Sequence, residues 1–272
     1  SDRNLAKLTD TSRFVAELCN VSPDPHQPYV GHNAFAHKGG LHVSAVTRDP
    51  HTFEHINPAL VGNTPHVLVS ELAGRATIDQ RARELGYSLS EHKDLADRVL
   101  RRVKEREHAG YHYEAADASF ELLLRAELGK QVEFFRLESF RIIVEKREDG
   151  KTVSEATVKV HVGGERFIET AEGNGPVNAL DRALRRAIER KFPEVKDIRL
   201  INYSVRILDE DKGTAASTRV LIDSSDGKDS WGSVGVGVNV VEASWEALVD
   251  SIVYGLLRVR GEGESSGEEA AR

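Results

Sequence analysis

The sequence predicts an α+β protein in which small helical subdomains precede two consecutive units of three strands and one helix. Helical periodicity dominates from about residue 88, and strand-like alternation begins near Ser139. The strand-rich part also repeats internally. A shift of 64 positions carries "NALDRAL" (178–184) onto "EASWEAL" (242–248), with two alanines and a leucine in common, and carries Gly173 onto Gly237. We therefore expect two pseudo-symmetric βββα units.

Length and composition limit the classes of protein. The 272 residues suffice for two domains. The net charge of −7 disfavours nucleic acid as the main partner, because phosphate binding requires a basic face. No apolar run is long enough to span a membrane, and the first residues do not resemble a signal peptide. With Cys19 as its single cysteine, the chain fits a cytoplasmic location.

The first part of the chain is predicted to be helical and rich in loops. "NLAKLTDTSRFVAELCN" has the spacing of short helices, and the prolines between 23 and 28 predict an extended connector. In a long charged helix that ends near Gly110, the apolar residues Leu95, Val99 and Val103 recur at four-residue steps. We assign a linker and first subdomain to residues 1–65 and a helical second subdomain to 66–136.

The second part, residues 137–260, alternates strands and helices. Its predicted strands read "SFRIIVEK", "EATVKVHV" and "ERFIETAEG", and, in the second unit, "INYSVRILD", "ASTRVLIDS" and "SWGSVGVGVN". A segment with helical period follows each set of three strands. Trp231 and Trp245 are interpreted as core or interface anchors. The last residues, 261–272, are poor in apolar side chains and predicted to be disordered.

Two histidines flank a glycine pair in "FAHKGGLHVSA" (35–45). An imidazole at His42 is a candidate general base, since it titrates near neutral pH. Spacing alone favours the simpler interpretation of a helix-entry turn that carries surface histidines. A metal site at His37 and His42 is disfavoured further, because no cysteine or carboxylate lies at ligand spacing. We predict no metal ligands and no cofactor site in this chain.

Two glycine-rich turns occupy equivalent places in the repeat, each between a strand and a helix. Exposed N–H groups at such a turn can hold a carboxylate or phosphate; the alternative is a plain strand-to-helix turn. No nucleotide-binding fingerprint is present, which disfavours nucleotides. The candidate effector-binding residues are Gly173, Asn174, Gly175, Pro176, Gly235, Gly237 and Asn239.

Long segments resemble the C-terminal half of citramalate synthases, in the family of 2-isopropylmalate and homocitrate synthases. They include "QPYVGHNAFAHKGGLHVSAV", "HAGYHYEAADASFELLLR" and "WGSVGVGVNVVEASWEALVDS", and the resemblance covers roughly residues 5–260. It implies two helical subdomains and a dimerising regulatory domain of two βββα units. The family's catalytic TIM barrel, with its metal ligands, has no counterpart in this sequence.

The resemblance also implies site residues and partners. His42 matches a family histidine that acts in acid–base chemistry within the barrel of the partner subunit, and Phe53 stands where the family has a tyrosine, so that the hydroxyl is missing. For the barrel-containing parent it implies acetyl-CoA, a divalent metal and pyruvate, in isoleucine biosynthesis. It implies a homodimer, a catalytic barrel in cis or in the partner, and a branched-chain amino acid effector, isoleucine favoured. The chain alone is expected to be inactive.

Two alternatives stay open. One is a free-standing amino-acid-sensing and dimerisation module without catalysis, and the other is a fragment of a 2-isopropylmalate synthase that senses leucine. The sequence does not decide between the substrates, because the 2-oxo acid pocket of the family lies in the barrel.

Overall fold

The structure is a computed structural model that describes residues 2–19, 23–24, 26–31, 33–37, 45, 49, 54, 56–64, 66–67, 75–89 and 93–260. The chain divides into two compact units, Ser1–His108 and Ala109–Arg272. The predicted disordered tail, residues 261–272, lies outside the described residues.

Helices dominate the described residues of the first unit. They are α1 (Asp2–Leu5), α2 (Leu8–Leu18), α3 (Arg75–Glu84) and α4 (Lys93–His108), and the short strands β1 (Ala36–His37) and β2 (His66–Val67) pair in parallel. As predicted, Leu95, Val99 and Val103 form the buried stripe of α4. Helix α4 packs against α3. Side chains also fix the irregular segments, since Thr9 Oγ1 donates to the Val61 carbonyl at 2.7 Å.

The second unit begins with α5 (Asp117–Glu127), which packs on a later strand and helix of the same unit. The helical second subdomain predicted for residues 66–136 includes this segment. Its buried contacts include Ser119, whose Oγ donates to Asp250 Oδ2 at 2.6 Å and accepts from the Val234 N–H at 3.0 Å. These bonds, together with the buried Phe120 and Leu124, fix α5 to the strand-rich part.

Two antiparallel three-stranded sheets follow, each with one helix after it, as the repeat predicts. The first sheet contains β3 (Phe135–Lys146), β4 (Thr152–Val162) and β5 (Glu165–Gly173), and α6 (Pro176–Glu189) follows it. The second contains β6 (Arg199–Ile207), β7 (Thr218–Ser225) and β8 (Ser230–Gly237), followed by α7 (Val240–Arg260). No (β/α)₈ barrel is present among the described residues.

The repeat is visible in the register as well as in the order of elements. Helices α6 and α7 begin at Pro176 and Val240, which are 64 positions apart like the strand ends at Gly173 and Gly237. Each sheet has a register shift at the same place in its first strand, between Leu137 and Ser139 and between Leu200 and Asn202. The first strands of the two sheets correspond at a shift of 63 positions. Phe140, which pairs with Val158, therefore corresponds to Tyr203, which pairs with Ile222.

Alternating side chains of the central strands build the core. In β4 every second residue from Ser154 to Val162 is buried under α6, which buries Leu180, Leu184 and Ile188 in return. Burial of such aliphatic side chains stabilises by about 1.5–3 kcal/mol each. Trp231 is 5% exposed and donates through Nε1 to the Ser251 carbonyl, so the predicted core role of this tryptophan is confirmed.

Glu138, the residue at the register shift of β3, takes part in an ion cluster. Glu138 accepts from Arg166 Nε at 2.6 Å and from Arg166 Nη2 at 2.7 Å, and His161 Nε2 lies 3.2 Å from the same carboxylate. The hydrogen bonds from the Arg166 guanidinium lower the pKa of Glu138 to about 2. The cluster joins β4 and β5 to the residue at the register shift of β3.

Candidate effector site

The predicted catalytic positions His42 and Phe53 lie outside the described residues, so their roles stay predictions. His37 ends β1, and its side chain lies outside the described part of the chain. Among the residues that the structure describes, no group of three or more His, Cys, Asp or Glu side chains is placed to hold a metal ion.

The first glycine turn joins β5 to α6 by close backbone packing. A Cβ on Gly173 would lie 2.4 Å from the Ala179 backbone N, so only glycine fits there without a shift of the helix. The Asn174 N–H donates to Asn178 Oδ1 at 3.1 Å, so this turn N–H already has an acceptor within the chain. Gly175 is the N-cap, with extended backbone, and Pro176 is the first helical residue.

The second glycine turn joins β8 to α7 and is built differently. Asn239 Oδ1 accepts from the Val241 N–H at 2.8 Å, the usual arrangement of an N-cap asparagine. A Cβ on Gly235 would lie 2.0 Å from the Ala243 carbonyl oxygen, so this glycine serves close packing of strand on helix. At Gly237 the nearest atom to an added Cβ is the Asn239 carbonyl oxygen, at 3.5 Å, an ordinary contact.

A cavity of about 470 Å³ lies beside the first turn. Its described lining comes from α6, from Ile198 and from the first residues of β6, and none of it belongs to the second turn. The lining residues are Val177, Asn178, Asp181, Arg185, Ile198, Arg199, Leu200 and Tyr203. Of the predicted turn residues, none lines the cavity itself, although two of the lining residues directly follow Pro176.

The cavity combines apolar walls with a few fixed polar groups. Asp181 Oδ1 accepts from Arg185 Nε at 2.8 Å, and Arg185 Nη1 donates to the carbonyls of Val195 and Ile198, which anchors this guanidinium. Tyr203 Oη lies 2.8 Å from Ser244 Oγ. Such a cavity, apolar with a carboxylate and a helix N-terminus at hand, suits a small zwitterion with an aliphatic side chain.

The repeat explains why the cavity lies between α6 and β6 and has no counterpart between α7 and β3 in the described part of the chain. At the place related by the repeat, the ring of Trp245 in α7 of the second unit packs against Phe140 in β3 of the first unit, with ring centroids 5.4 Å apart. The positions that correspond to these two residues are Asp181 and Tyr203, at shifts of 64 and 63. A carboxylate stands where the other half has an indole, so the space beside Tyr203 is left open. The sequence contained this signal, because the aligned repeat places Asp181 opposite Trp245.

Comparison with known proteins identifies the family. The family model described as the LeuA allosteric (dimerisation) domain matches residues 114–256, more than half of the chain. The chain belongs to the LeuA allosteric (dimerisation) domain family. A second family model, the homocitrate synthase post-HMGL domain-like family, matches residues 29–110. The two matches agree with the resemblance inferred from the sequence motifs.

Several relatives of this LeuA-family chain are named (R)-citramalate synthase. That of Streptomyces coelicolor is 56% identical over 255 residues, which is 93% of this chain and 48% of the relative. That of Geobacter sulfurreducens is 52% identical over 94% of this chain and 48% of the relative. A 2-isopropylmalate synthase of a Shewanella species is 29% identical over 90% of this chain and 45% of the relative. The chain thus spans about half the length of these relatives and corresponds to the C-terminal half of the citramalate synthases.

Among the described residues, no helix is both long enough and apolar enough to cross a lipid bilayer.

Proposed function

We propose that this chain is the C-terminal part of a dimeric, cytoplasmic (R)-citramalate synthase, which condenses acetyl-CoA with pyruvate in isoleucine biosynthesis. The observation that carries the proposal is the 56% identity to the Streptomyces coelicolor enzyme of that name over 93% of this chain. Identity to the 2-isopropylmalate synthase is 29%, and this difference favours citramalate over 2-isopropylmalate as the product.

The proposed reaction forms one carbon–carbon bond and breaks one thioester. A base removes a proton from the acetyl methyl group, the carbanion attacks the ketone carbon of pyruvate, and water cleaves the thioester to release CoA and (R)-citramalate. His42 is the proposed proton carrier of this chain, in a site completed by a catalytic barrel in cis or in the partner subunit. The missing hydroxyl at Phe53 is a departure from the family pattern, and Phe53→Tyr is expected to raise turnover.

The second unit is proposed to bind a branched-chain amino acid, with isoleucine favoured, as a feedback effector. The N-terminus of α6 favours the carboxylate of this ligand, because the first N–H groups of a helix lack intrahelical acceptors. The Asp181 carboxylate is the proposed partner of the ammonium group, and Leu200 and the ring of Tyr203 offer an apolar wall to the side chain. The cavity beside the first turn supports this proposal.

Titration calorimetry on the 272-residue chain with isoleucine, leucine and valine tests the effector proposal. One methylene in an apolar pocket is worth about 1–3 kcal/mol, so isoleucine should bind about 10- to 100-fold more tightly than valine. Asp181→Asn should weaken binding because it removes the charge opposite the ammonium. The control Asp149→Asn makes the same chemical change in the exposed turn between β3 and β4 and should bind like the wild type. Absence of heat with all three amino acids would remove the effector role.

An assay of CoA release tests the catalytic part of the proposal. The chain alone should release no CoA from acetyl-CoA and pyruvate, while the polypeptide extended by its upstream coding region should do so. If the extended enzyme prefers 2-oxoisovalerate to pyruvate, the parent is a 2-isopropylmalate synthase instead.

A further inference from the structure

Asn63 is a buried polar residue whose side-chain amide is hydrogen-bonded at both ends. The residue is 7% exposed. Its Nδ2 donates to the Tyr29 carbonyl and to the Gly31 carbonyl, both at 3.0 Å, and its Oδ1 accepts from the Thr64 N–H at 2.8 Å. The two carbonyls lie 34 and 32 positions earlier in the chain. Because Nδ2 carries two N–H groups, one amide can hold both of these carbonyls.

The segment that Asn63 holds leads into the histidine loop, which we define as residues 35–45. Tyr29 has a φ of +68°, a left-handed conformation that a bulky residue adopts only where its surroundings hold it there. Gly31 is buried, and its carbonyl accepts from the Ala34 N–H at 3.1 Å as well as from Asn63. A buried backbone carbonyl requires such partners. Loss of the Asn63 amide would therefore release the backbone just before the histidine loop.

A second contact joins the same two parts of the chain. The parallel strands β1 and β2 pair Ala36 with His66 and His37 with Val67. Strand β2 begins three positions after Asn63. Asn63 therefore fixes the beginning of the segment that leads into the loop, and β2 fixes its end at His37.

Asn63 itself projects from a fixed backbone. It follows the 3₁₀ helix Pro58–Val61, and its N–H donates to the Pro58 carbonyl at 3.0 Å. A Cβ on Gly62 would lie 2.3 Å from the Ala6 carbonyl oxygen, so the backbone next to Asn63 packs directly on the backbone at Ala6. A side chain can position another segment only if its own place is fixed by packing and hydrogen bonds, and Asn63 meets this condition.

We propose that Asn63 is a positioning residue for the histidine loop. It sets the backbone from Tyr29 to His37, and through this backbone the place from which His42 works. The catalytic part of this inference rests on the proposed function, in which His42 carries a proton. Misplacement of a reacting group by about 1 Å can lower a rate about 100-fold, so a residue that acts only through the backbone can control turnover.

Hydrogen exchange on the 272-residue chain tests the structural step. Asn63→Asp keeps the size of the side chain but replaces the two donors by a carboxylate that faces two carbonyls. Amide exchange in residues 33–37 should rise about 10-fold or more, whereas exchange in α4 should be unchanged. Asn63→Ala, which removes the donors without adding a charge, should give the same pattern. The control Asn4→Asp makes the same chemical change at an exposed residue of α1 and should exchange like the wild type.

Turnover of the extended, barrel-containing polypeptide tests the catalytic step. Asn63→Asp should lower kcat about 10- to 100-fold and change the KM of acetyl-CoA and of pyruvate less than about threefold. In a His42→Ala background the same substitution should lower the remaining kcat less than about twofold, because a residue that acts through His42 then has nothing left to position. A loss of general stability would instead lower kcat equally in both backgrounds. The control Asn4→Asp should keep the wild-type kcat.

Each measurement has an outcome that contradicts the proposal. Unchanged exchange in residues 33–37, or an equal rise in α4, would overturn the positioning role of Asn63. Wild-type kcat in Asn63→Asp, or an equal loss with and without His42, would overturn its effect on catalysis. The proposed function fails separately, because an extended wild type that releases no CoA removes the catalytic proposal, and the exchange measurement then decides the role of Asn63 by itself.

Discussion

Replacement of Gly173 by alanine tests how tightly the first glycine turn packs on its helix. The added Cβ would lie 2.4 Å from the Ala179 backbone N, 2.7 Å from Asn178 Oδ1 and 2.8 Å from Ala179 Cα. Non-bonded carbon atoms pack at about 3.5–4.0 Å, so the overlap is about 1 Å. Two of the three atoms belong to the helix backbone, which cannot rotate aside as the end of a side chain can. The start of α6 must therefore move.

Overpacking of this kind costs about 1–3 kcal/mol. For a unit of the size of 109–272, a loss of about 2 kcal/mol lowers the unfolding midpoint by about 4–8 °C. Val177 and Asn178 line the cavity and belong to the first turn of α6, which the added Cβ displaces. Gly173→Ala should therefore also weaken isoleucine binding. Differential scanning calorimetry measures the midpoint, and titration calorimetry measures the binding.

The repeat supplies the matched control, Gly237→Ala, at the equivalent place in the second unit. Its Cβ would meet its nearest neighbour, the Asn239 carbonyl oxygen, at 3.5 Å, which is an ordinary contact. This variant should lower the midpoint by less than about 2 °C, as for a substitution without steric conflict. Equal midpoints for the two variants would refute the argument that close packing on α6 requires glycine at position 173.

Three further predictions concern charge, catalysis and the cavity. Arg166→Gln should return the pKa of Glu138 from about 2 towards 4.5, as measured by carboxyl NMR titration. Because the pKa of Glu138 is lower in the folded state, its ion pair stabilises the fold above about pH 4.5, and this stabilisation is lost as the pH falls towards 2. An unchanged pKa in the variant would contradict the assigned cause. In the extended, barrel-containing polypeptide, His42→Ala should lower turnover about 10²- to 10⁴-fold, and wild-type turnover would leave the histidine loop as a turn. Asp181→Trp, which copies Trp245 of the other half, should fill the cavity and abolish the calorimetric signal of isoleucine while the fold persists, and undiminished binding would place the effector elsewhere.

Most of the second unit could be predicted from the sequence, because its elements depend on local patterns. Strand β4 buries every second residue from Ser154 to Val162, and the same alternation is visible in the letters "EATVKVHV". The shift of 64 positions likewise predicts where α6 and α7 begin, because each of these helices follows a glycine-rich turn. The register shifts after Leu137 and Leu200 were not predicted, since one extra residue in a strand leaves no sequence signal of its own.

The cavity beside the first glycine turn could not be predicted from the sequence, because it depends on tertiary structure. The glycine turns stay predicted effector-binding residues, whereas the cavity beside the first turn is lined by residues that follow this turn and by Leu200 and Tyr203 of a strand further along the chain. Their proximity depends on how α6 and β6 are placed, which no local pattern encodes. The histidine-loop prediction at His42 is different in kind, because it comes from the family resemblance and stays a prediction.

The differences between the repeated units are more informative about function than their common features. Features shared by the two units, such as the helix starts and the register shifts, are those that a βββα unit needs in order to fold. The units differ where the second has Trp245 and the first has Asp181. The indole of Trp245 completes the core beside Phe140. The carboxylate of Asp181 leaves a cavity and an exposed apolar strand. An open cavity contributes no packing to the isolated fold. Because Trp245 fills the equivalent space, we propose that the cavity beside Asp181 serves a contact made outside the unit, with a small ligand.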